Sequence, residues 1–335
     1  MSSSTGASLS DELPDPDGRP PLRGDDANTG RAGDKVFGGL AIGSGIVVIA
    51  MVVLIAIFLL FQAIPAIGDD KVNFLTSREW NVSGRRFGIL QMLWTTVVTS
   101  VVALIIAVPF AVAIALFLTH YAPRWLAGPA ATVIDLLAAV PSIVYGLWGV
   151  IIVAPKSEGL QNWLSDVLGW FPLFAKVPSV GGGTTMFLVS IVLAIMVLPI
   201  VTALTREVFS QAPAAHQEAA LALGATKWEM IRTAVLPFGK PGIISASMLG
   251  LGRALGETVA VLYILSALPD SSKWTWSLFN GGDTFAAKIA NSASEFTGGT
   301  STGAYIAAGL VLFILTFVVN AVARVVIERR KAFSE

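Results

Sequence analysis

The stretch Ile46–Phe61 reads IVVIAMVVLIAIFLLF and is apolar at every position. Strands of an outer-membrane barrel alternate polar and apolar residues, whereas a helix that faces lipid is apolar on all sides. The charge-free block that contains this stretch runs from Val36 to Gly68 and is 33 residues long. Because roughly 20 helical residues cross a bilayer core of about 30 Å, we interpret 36–68 as the first transmembrane helix.

Five further apolar blocks follow along the chain. Two of them contain charges: one has only Asp135, and the other has only Arg253 and Glu257. Three contain no Asp, Glu, Lys or Arg: 87–119, 177–205 and 296–323. The sequence therefore predicts an all-α integral membrane protein with six transmembrane helices. The predicted spans are about 37–62, 90–117, 129–153, 184–205, 242–268 and 303–326.

The composition excludes several classes of protein. The 335 residues are 54% hydrophobic and 13% charged, and 22 Lys and Arg balance 22 Asp and Glu. Disordered chains combine low hydrophobicity with high net charge, and nucleic-acid-binding domains carry a basic excess. The absence of Cys excludes thiolate metal sites, and two His leave little for a zinc site. We therefore expect membrane lipid around the chain, no nucleic-acid partner and no metal site.

The positions of Lys and Arg predict the orientation in the membrane. Thirteen lie on the side of the two termini and eight on the other side, and residues 329–331 read RRK directly after the last span. Positive charges favour the cytoplasmic side. We therefore expect both termini in the cytoplasm. This orientation places the tails 1–35 and 327–335 in the cytoplasm and 69–89 outside it. The tail 1–35 is rich in Ser, Gly, Pro and Asp, so we expect it to be disordered.

The loop 206–240 between the fourth and fifth spans predicts two short helices. Pro213 is suited to the first turn of a helix, and the Ala-rich run 214–223 has high helix propensity. Gly224 is expected to end this helix, because glycine readily adopts the left-handed conformation that follows a helix. The small side chains would allow another protein to approach closely. A hairpin lying on the membrane is the alternative.

The second helix of this loop has a local start signal. Thr226 and Glu229 have the spacing of a capping box, in which each side chain binds a backbone N–H at the other position. We predict that this helix ends before Pro237.

Two charged residues and two glycines mark the fifth span. Arg253 and Glu257 are four residues apart and are expected to share one helix face. Charges at membrane depth are costly and usually face a cavity or a partner, and a guanidinium suits an oxyanion. The pair therefore either lines a passage or only stabilises the bundle. Gly252 and Gly256 have the spacing that favours close helix contact.

The third span contains two further candidates for a structural or gating role. Asp135 is interpreted as an acid at a helix N-terminus, where the helix dipole favours it. Pro141 is expected to kink the span.

The cytoplasmic loop resembles the EAA loop of ABC importer permeases. The resemblance rests on Glu218-Ala219-Ala220, on Gly224 and on Leu236-Pro237. In that family the loop forms coupling helices that sit in a groove of the ATPase, so the resemblance implies ATPase contacts for these six residues. It also implies a type-1 (MetI-like) permease core over 90–326, to which the first helix is an addition.

The fifth span resembles that of phosphate-specific ABC permeases, and more closely the PstC-type subunit. Residues 250–258 read GLGRALGET, and Asp135 with the run PSIVYG at 141–146 also matches. The resemblance implies roles for Arg253 and Glu257 in phosphate transport. A permease for another oxyanion, such as sulfate or molybdate, is the nearest alternative. An ATP-independent secondary transporter is a more distant one.

No phosphate-binding loop of the form Gly-x-x-x-x-Gly-Lys-Ser/Thr occurs in the sequence. We therefore expect no enzyme, no catalytic residue and no cofactor in this chain, with ATP and Mg²⁺ on a partner ATPase. The resemblance implies a bacterial inner (plasma) membrane and a heterodimer with a paralogous permease. Two copies of an ABC ATPase and an extracytoplasmic phosphate-binding protein complete the implied assembly.

Overall fold

The computed structural model describes residues 30–177, 181–266, 268, 275–296 and 299–331. The chain divides into two units, Met1–Ile57 and Phe58–Glu335. Most of the predicted tail 1–35 and the end of the predicted tail 327–335 lie outside the described residues.

Helices account for most of the described chain. Helix α1 spans Gly30–Gly68, so it begins before the predicted boundary at Val36 and continues from the first unit into the second. A short antiparallel pair, β1 (Trp80–Asn81) and β2 (Arg86–Phe87), follows it. The remaining α-helices are α2 (Leu90–Leu116), α3 (Arg124–Ala138), α4 (Ser142–Trp148), α5 (Ala154–Leu168), α6 (Met186–Ser210), α7 (Ala214–Ala222), α8 (Lys227–Met230), α9 (Leu236–Leu255), α10 (Val259–Ile264), α11 (Phe285–Asn291) and α12 (Gly299–Lys331).

Six helical segments of the described chain are long and apolar enough to cross a membrane, which confirms the predicted number. They are Lys35–Gly68, Leu90–Tyr121, Ser142–Leu168, Met186–Ser210, Lys227–Leu255 and Ser301–Val325. The third and the fifth differ from the predicted spans by more than ten residues at each end.

The third segment is displaced along the chain. The sequence predicts one span over 129–153, but α3 ends at Ala138 and α4 begins at Ser142. Proline at position 141 cannot donate a helical hydrogen bond and restricts the residue before it, so the helix stops there. The helical path then continues through a π turn, Gly149–Val153, into α5.

The fifth segment is continuous where the sequence predicts an interruption. Helices α8 and α9 are joined by a π turn at Ile231–Val235, so the predicted end before Pro237 is wrong. Pro237 is the second residue of α9, the helix that follows the π turn directly. The predicted single helix over 242–268 is also wrong, because α9 ends at Leu255 and α10 begins only at Val259.

The core of the second unit forms where α2 packs along α6 and α6 packs against α9. Ala103, Ala107 and Ala111 are fully buried and spaced four apart on α2. This spacing lets a neighbouring helix approach closely. On α9, a Cβ at Gly250 would lie 2.6 Å from a methyl of Val197, so these two helices also depend on a small residue.

The segment 275–282 covers the N-terminal end of α6. The N–H of Met186 donates to the carbonyl of Asn280 at 2.9 Å, and the N–H of Phe187 donates to Leu278 at 2.8 Å. These bonds satisfy donors that a helix start leaves unpaired. Because α6 runs from this segment to the loop 206–240, the two regions lie at opposite ends of the helix.

Candidate functional site

Arg253 and Glu257 lie on either side of a break in the fifth segment. Arg253 is in the last turn of α9, Gly256 caps that helix, and Glu257 precedes α10. The prediction that the two residues share one helix face is therefore wrong, because the i, i+4 relation holds only within a continuous helix. No ion pair joins them in the described part of the chain.

Glu257 is held by the backbone of the following helix. Its side chain is buried, and Oε1 accepts a hydrogen bond from the N–H of Ala260 at 3.0 Å. This N–H is one of the unpaired donors at the start of α10. The carboxylate therefore stabilises a helix start, and the alternative that it serves only to neutralise Arg253 is contradicted.

Arg253 retains an unsatisfied donor. Its Nε is buried and has no hydrogen-bond partner within the described chain. Leaving a buried donor of a charged group unpaired costs about 1–3 kcal/mol or more. The nearby Tyr145 lies within electrostatic range of this guanidinium, but its hydroxyl donates to the carbonyl of Leu137 at 3.0 Å. The arrangement leaves capacity at Arg253 to bind an acceptor that the chain itself does not supply.

The two glycines at the break do not make the predicted helix contact within the described chain. A Cβ at Gly252 would meet nothing within 4 Å, and one at Gly256 would be 3.6 Å from the carbonyl of Gly252. A close helix contact occurs instead between α4 and α10, where a Cβ at Gly146 would be 2.9 Å from Cα of Ala260. Helix α4 thus packs directly on α10, just beyond the break.

Asp135 lies at the opposite end of its helix from the one that the sequence predicts. It lies in the last turn of α3, so it is not an acid at a helix N-terminus. Its Oδ2 lies 3.5 Å from a guanidinium nitrogen of Arg206 on α6. Both side chains are partly exposed, so the pair contributes about 0–1 kcal/mol. The sequence predicts a kink at Pro141. The structure has a complete break there, because α3 ends at Ala138 and α4 begins directly after Pro141.

The loop after α6 folds as its local signals predict. Helix α7 begins directly after Pro213, and Gly224 follows it with φ of +86°. The capping box of α8 is complete: Thr226 Oγ1 accepts from the N–H of Glu229, and Glu229 accepts from the N–H of Thr226. These three features confirm the predicted first helix, the glycine turn after it and the start of the second helix.

The six residues predicted to contact an ATPase divide into two groups. Ala220 and Leu236 are half-buried and pack against an apolar cluster that includes Phe209 and Ile231. The others are exposed: Glu218, Ala219, Gly224 and Pro237.

Sequence reasoning missed three large apolar side chains that this loop exposes near its glycine turn. Leu223 is 89% exposed, and Leu221 and Trp228 are also exposed. Their signal is present in the sequence as large apolar residues next to the glycine turn. We call seven of the exposed residues of this loop, namely Glu218, Ala219, Leu221, Leu223, Gly224, Trp228 and Pro237, the coupling face.

No group of three or more His, Asp or Glu side chains that could hold a metal ion occurs among the described residues. Neither the break nor the coupling face therefore offers a metal-ligand set.

Comparisons with known proteins agree with this architecture. Residues 107–332 match the family model "Binding-protein-dependent transport system inner membrane component". "Phosphate transport system permease protein PstC 2" from Mycobacterium tuberculosis is 51% identical over 312 residues, which cover 92% of this chain and 96% of that protein. "Phosphate transport system permease protein PstC" from Mycobacterium leprae is 53% identical, with 81% of this chain and 86% of that protein covered.

Among solved structures, a chain of "a bacterial ABC transporter involved in the import of the acidic polysaccharide alginate" superposes with a TM-score of 0.54. It is 17% identical, and the match covers 89% of this chain and 99% of that chain. At this identity the likeness concerns the fold alone. Taken with the family match and the six membrane-crossing segments, these findings show that the chain is a multi-pass membrane permease and belongs to the family of binding-protein-dependent transport system inner membrane components.

Proposed function

We propose that this chain is the permease subunit of an ATP-driven importer of inorganic phosphate and forms part of the translocation pathway. The phosphate permeases among its relatives support phosphate as the transported ion. The observation that carries the proposal is the guanidinium of Arg253, which has a buried donor without a partner at a break in a membrane helix. A guanidinium offers a fork of donors that matches the oxygens of an oxyanion.

The position of Glu257 favours phosphate over another oxyanion. Because Glu257 accepts from the N–H of Ala260 and not from Arg253, the positive charge of Arg253 remains available to an anion. Phosphate at neutral pH keeps a hydroxyl that can donate to the second carboxylate oxygen. Sulfate has no such proton and would be repelled. Sulfate or molybdate import is the second candidate function. The Glu257 carboxylate disfavours sulfate, because sulfate has no proton to donate to it.

Energy from ATP would reach the break along a single helical run. The segment Lys227–Leu255 is 29 residues long, or about 44 Å at 1.5 Å per residue. One end lies at the coupling face and the other carries Arg253. Movement of the coupling face would therefore reach Arg253 through one helical run, which includes the π turn at Ile231–Val235.

The remaining parts of the assembly follow from this role. A paralogous permease would complete the pathway as a heterodimer, and two copies of an ABC ATPase would bind the coupling faces and hold ATP and Mg²⁺. An extracytoplasmic phosphate-binding protein would deliver the ion. Both termini and the coupling face would lie in the cytoplasm of a bacterial cell, and no cofactor would bind this chain.

Reconstitution tests this function. We expect proteoliposomes that contain the full assembly to accumulate radiolabelled phosphate only when ATP is present, and to leave labelled sulfate outside. Uptake by this chain alone without ATP would support a secondary transporter. Uptake of sulfate in place of phosphate would establish the second candidate function.

A further inference from the structure

A cavity of about 340 Å³ lies beside α10, directly beyond the break. Among the described residues it is lined by Val261, Leu262, Tyr263, Leu265, Asp283, Ala287 and Asn291. Its first lining residue, Val261, comes one helical turn after Glu257. The cavity therefore lies beside the helix that follows the break.

The wall of this cavity combines apolar side chains with polar ones and includes one half of an ion pair. Asp283 Oδ2 lies 3.3 Å from Nζ of Lys288, and the two side chains are only 23% and 22% exposed. Burial raises the pKa of the Asp283 carboxyl, and the nearby ammonium of Lys288 offsets this only in part. The pair is therefore incompletely compensated for the loss of water. The pair Asp166–Lys176, by contrast, has a similar separation of 3.2 Å but is 65% and 70% exposed.

The backbone on both sides of Asp283 is held by hydrogen bonds, one to the segment after α10 and one to α2. The N–H of Gly282 donates to the carbonyl of Ser266 at 2.9 Å, and the N–H of Phe285 donates to Oγ1 of Thr96 at 3.2 Å. Gly282 has φ of +152°, and a Cβ there would lie 2.9 Å from a side-chain oxygen of α2. Such anchoring holds the carboxylate at the cavity wall, so any rearrangement of the pair must come from the longer lysine side chain.

We propose that this cavity is a second anion-binding station of the pathway, in which Lys288 turns from Asp283 to a protonated oxyanion and Asp283 accepts a hydrogen bond from the hydroxyl of that ion. The inference rests on the proposed function and extends it to two further residues. The cavity has room for a tetrahedral oxyanion and water. Because the resting pair has no net charge, an anion would not meet the deep well that an unpaired lysine would form.

The test replaces the pair by apolar side chains of similar size, Asp283→Leu with Lys288→Met, in the complete assembly. Replacing a buried ion pair in this way is commonly neutral or stabilising for a fold. A purely structural pair therefore predicts normal phosphate uptake. Our proposal predicts that phosphate uptake per ATP hydrolysed falls about tenfold or more, the usual effect of removing a charge-assisted hydrogen bond. The matched control is Asp166→Leu with Lys176→Met, which should leave uptake unchanged.

Two single variants test the same proposal if the double variant does not assemble. Lys288→Arg retains the cation and should retain most uptake, whereas Lys288→Gln should lose about tenfold. Equal uptake by these two variants, or wild-type uptake by the apolar double variant, would overturn the inference. If the wild-type assembly itself carries no phosphate, the proposed function fails, and that outcome is distinct.

Discussion

Gly256 ends α9 and so separates Arg253 from Glu257, which the sequence predicts to share one helix face. Both residues can be found from the sequence, because charges in an apolar block are rare. Their separation by a helix break cannot be predicted from the sequence, because single glycines are common in continuous membrane helices. The break depends on tertiary packing, in which Gly146 lets α4 lie against Ala260 at the start of α10.

Substituting Gly146 by Ala tests this packing. The new Cβ would lie 2.9 Å from backbone Cα of Ala260, so one helix must move. We expect a loss of about 1–3 kcal/mol in the free energy of unfolding, as is usual for overpacking. Thermal unfolding of the chain in detergent measures it. Gly252→Ala is the control, because open space surrounds that position and the variant should unfold at the wild-type temperature or higher. Equal unfolding temperatures for both variants would argue against the packing account.

Asp283 gives a pH dependence with a defined sign. Burial raises the pKa of its carboxyl in the folded chain above the ordinary value of 3.8. The folded state therefore binds more protons than the unfolded state between 3.8 and the raised pKa, and stability falls as pH rises through that window. We expect Asp283→Asn to remove this contribution. Unfolding of wild type and variant over a pH series would show wild type losing stability relative to the variant. A constant difference would contradict the burial effect.

The elements divide into those with local signals and those without. Helix α7 with Gly224, and the capping box of Thr226 and Glu229, were predictable because neighbouring residues determine each of them. The extents of the third and fifth segments were not, because π turns at Gly149–Val153 and Ile231–Val235 leave no pattern in the sequence. Apolar periodicity gives the number of spans but not where a helix is interrupted.

The coupling face is the element whose function a single substitution can test. Leu223 is 89% exposed, so Leu223→Asp should leave the fold intact while removing an apolar contact. We expect binding of the ATPase to fall about tenfold or more, because buried leucine side chains contribute roughly 1.5–3 kcal/mol. Co-purification at graded ATPase concentrations measures the change. Lys240→Gln, also exposed but beyond this face, is the control. Undiminished ATPase binding by Leu223→Asp would remove Leu223 from the interface.

At the scale of the whole molecule, the structure links a coupling face at one end to a charged break within the membrane. The continuous run Lys227–Leu255 connects them, and a further cavity lies beside α10, the helix that follows the break. The fold class and the number of spans were predictable from the sequence. The division of the fifth span, and hence the isolation of Arg253 from Glu257, required the structure.

The central claim is that the guanidinium of Arg253 compensates the charge of an oxyanion in transit. The most direct measurement compares ATP-dependent uptake of radiolabelled phosphate by proteoliposomes that contain wild-type or Arg253→Gln assemblies, with Arg232→Gln as an exposed control on the same helical run. The account predicts that Arg253→Gln assembles and still hydrolyses ATP but moves almost no phosphate, while Arg232→Gln is unaffected. Phosphate uptake at the wild-type rate in the Arg253→Gln assembly would contradict it.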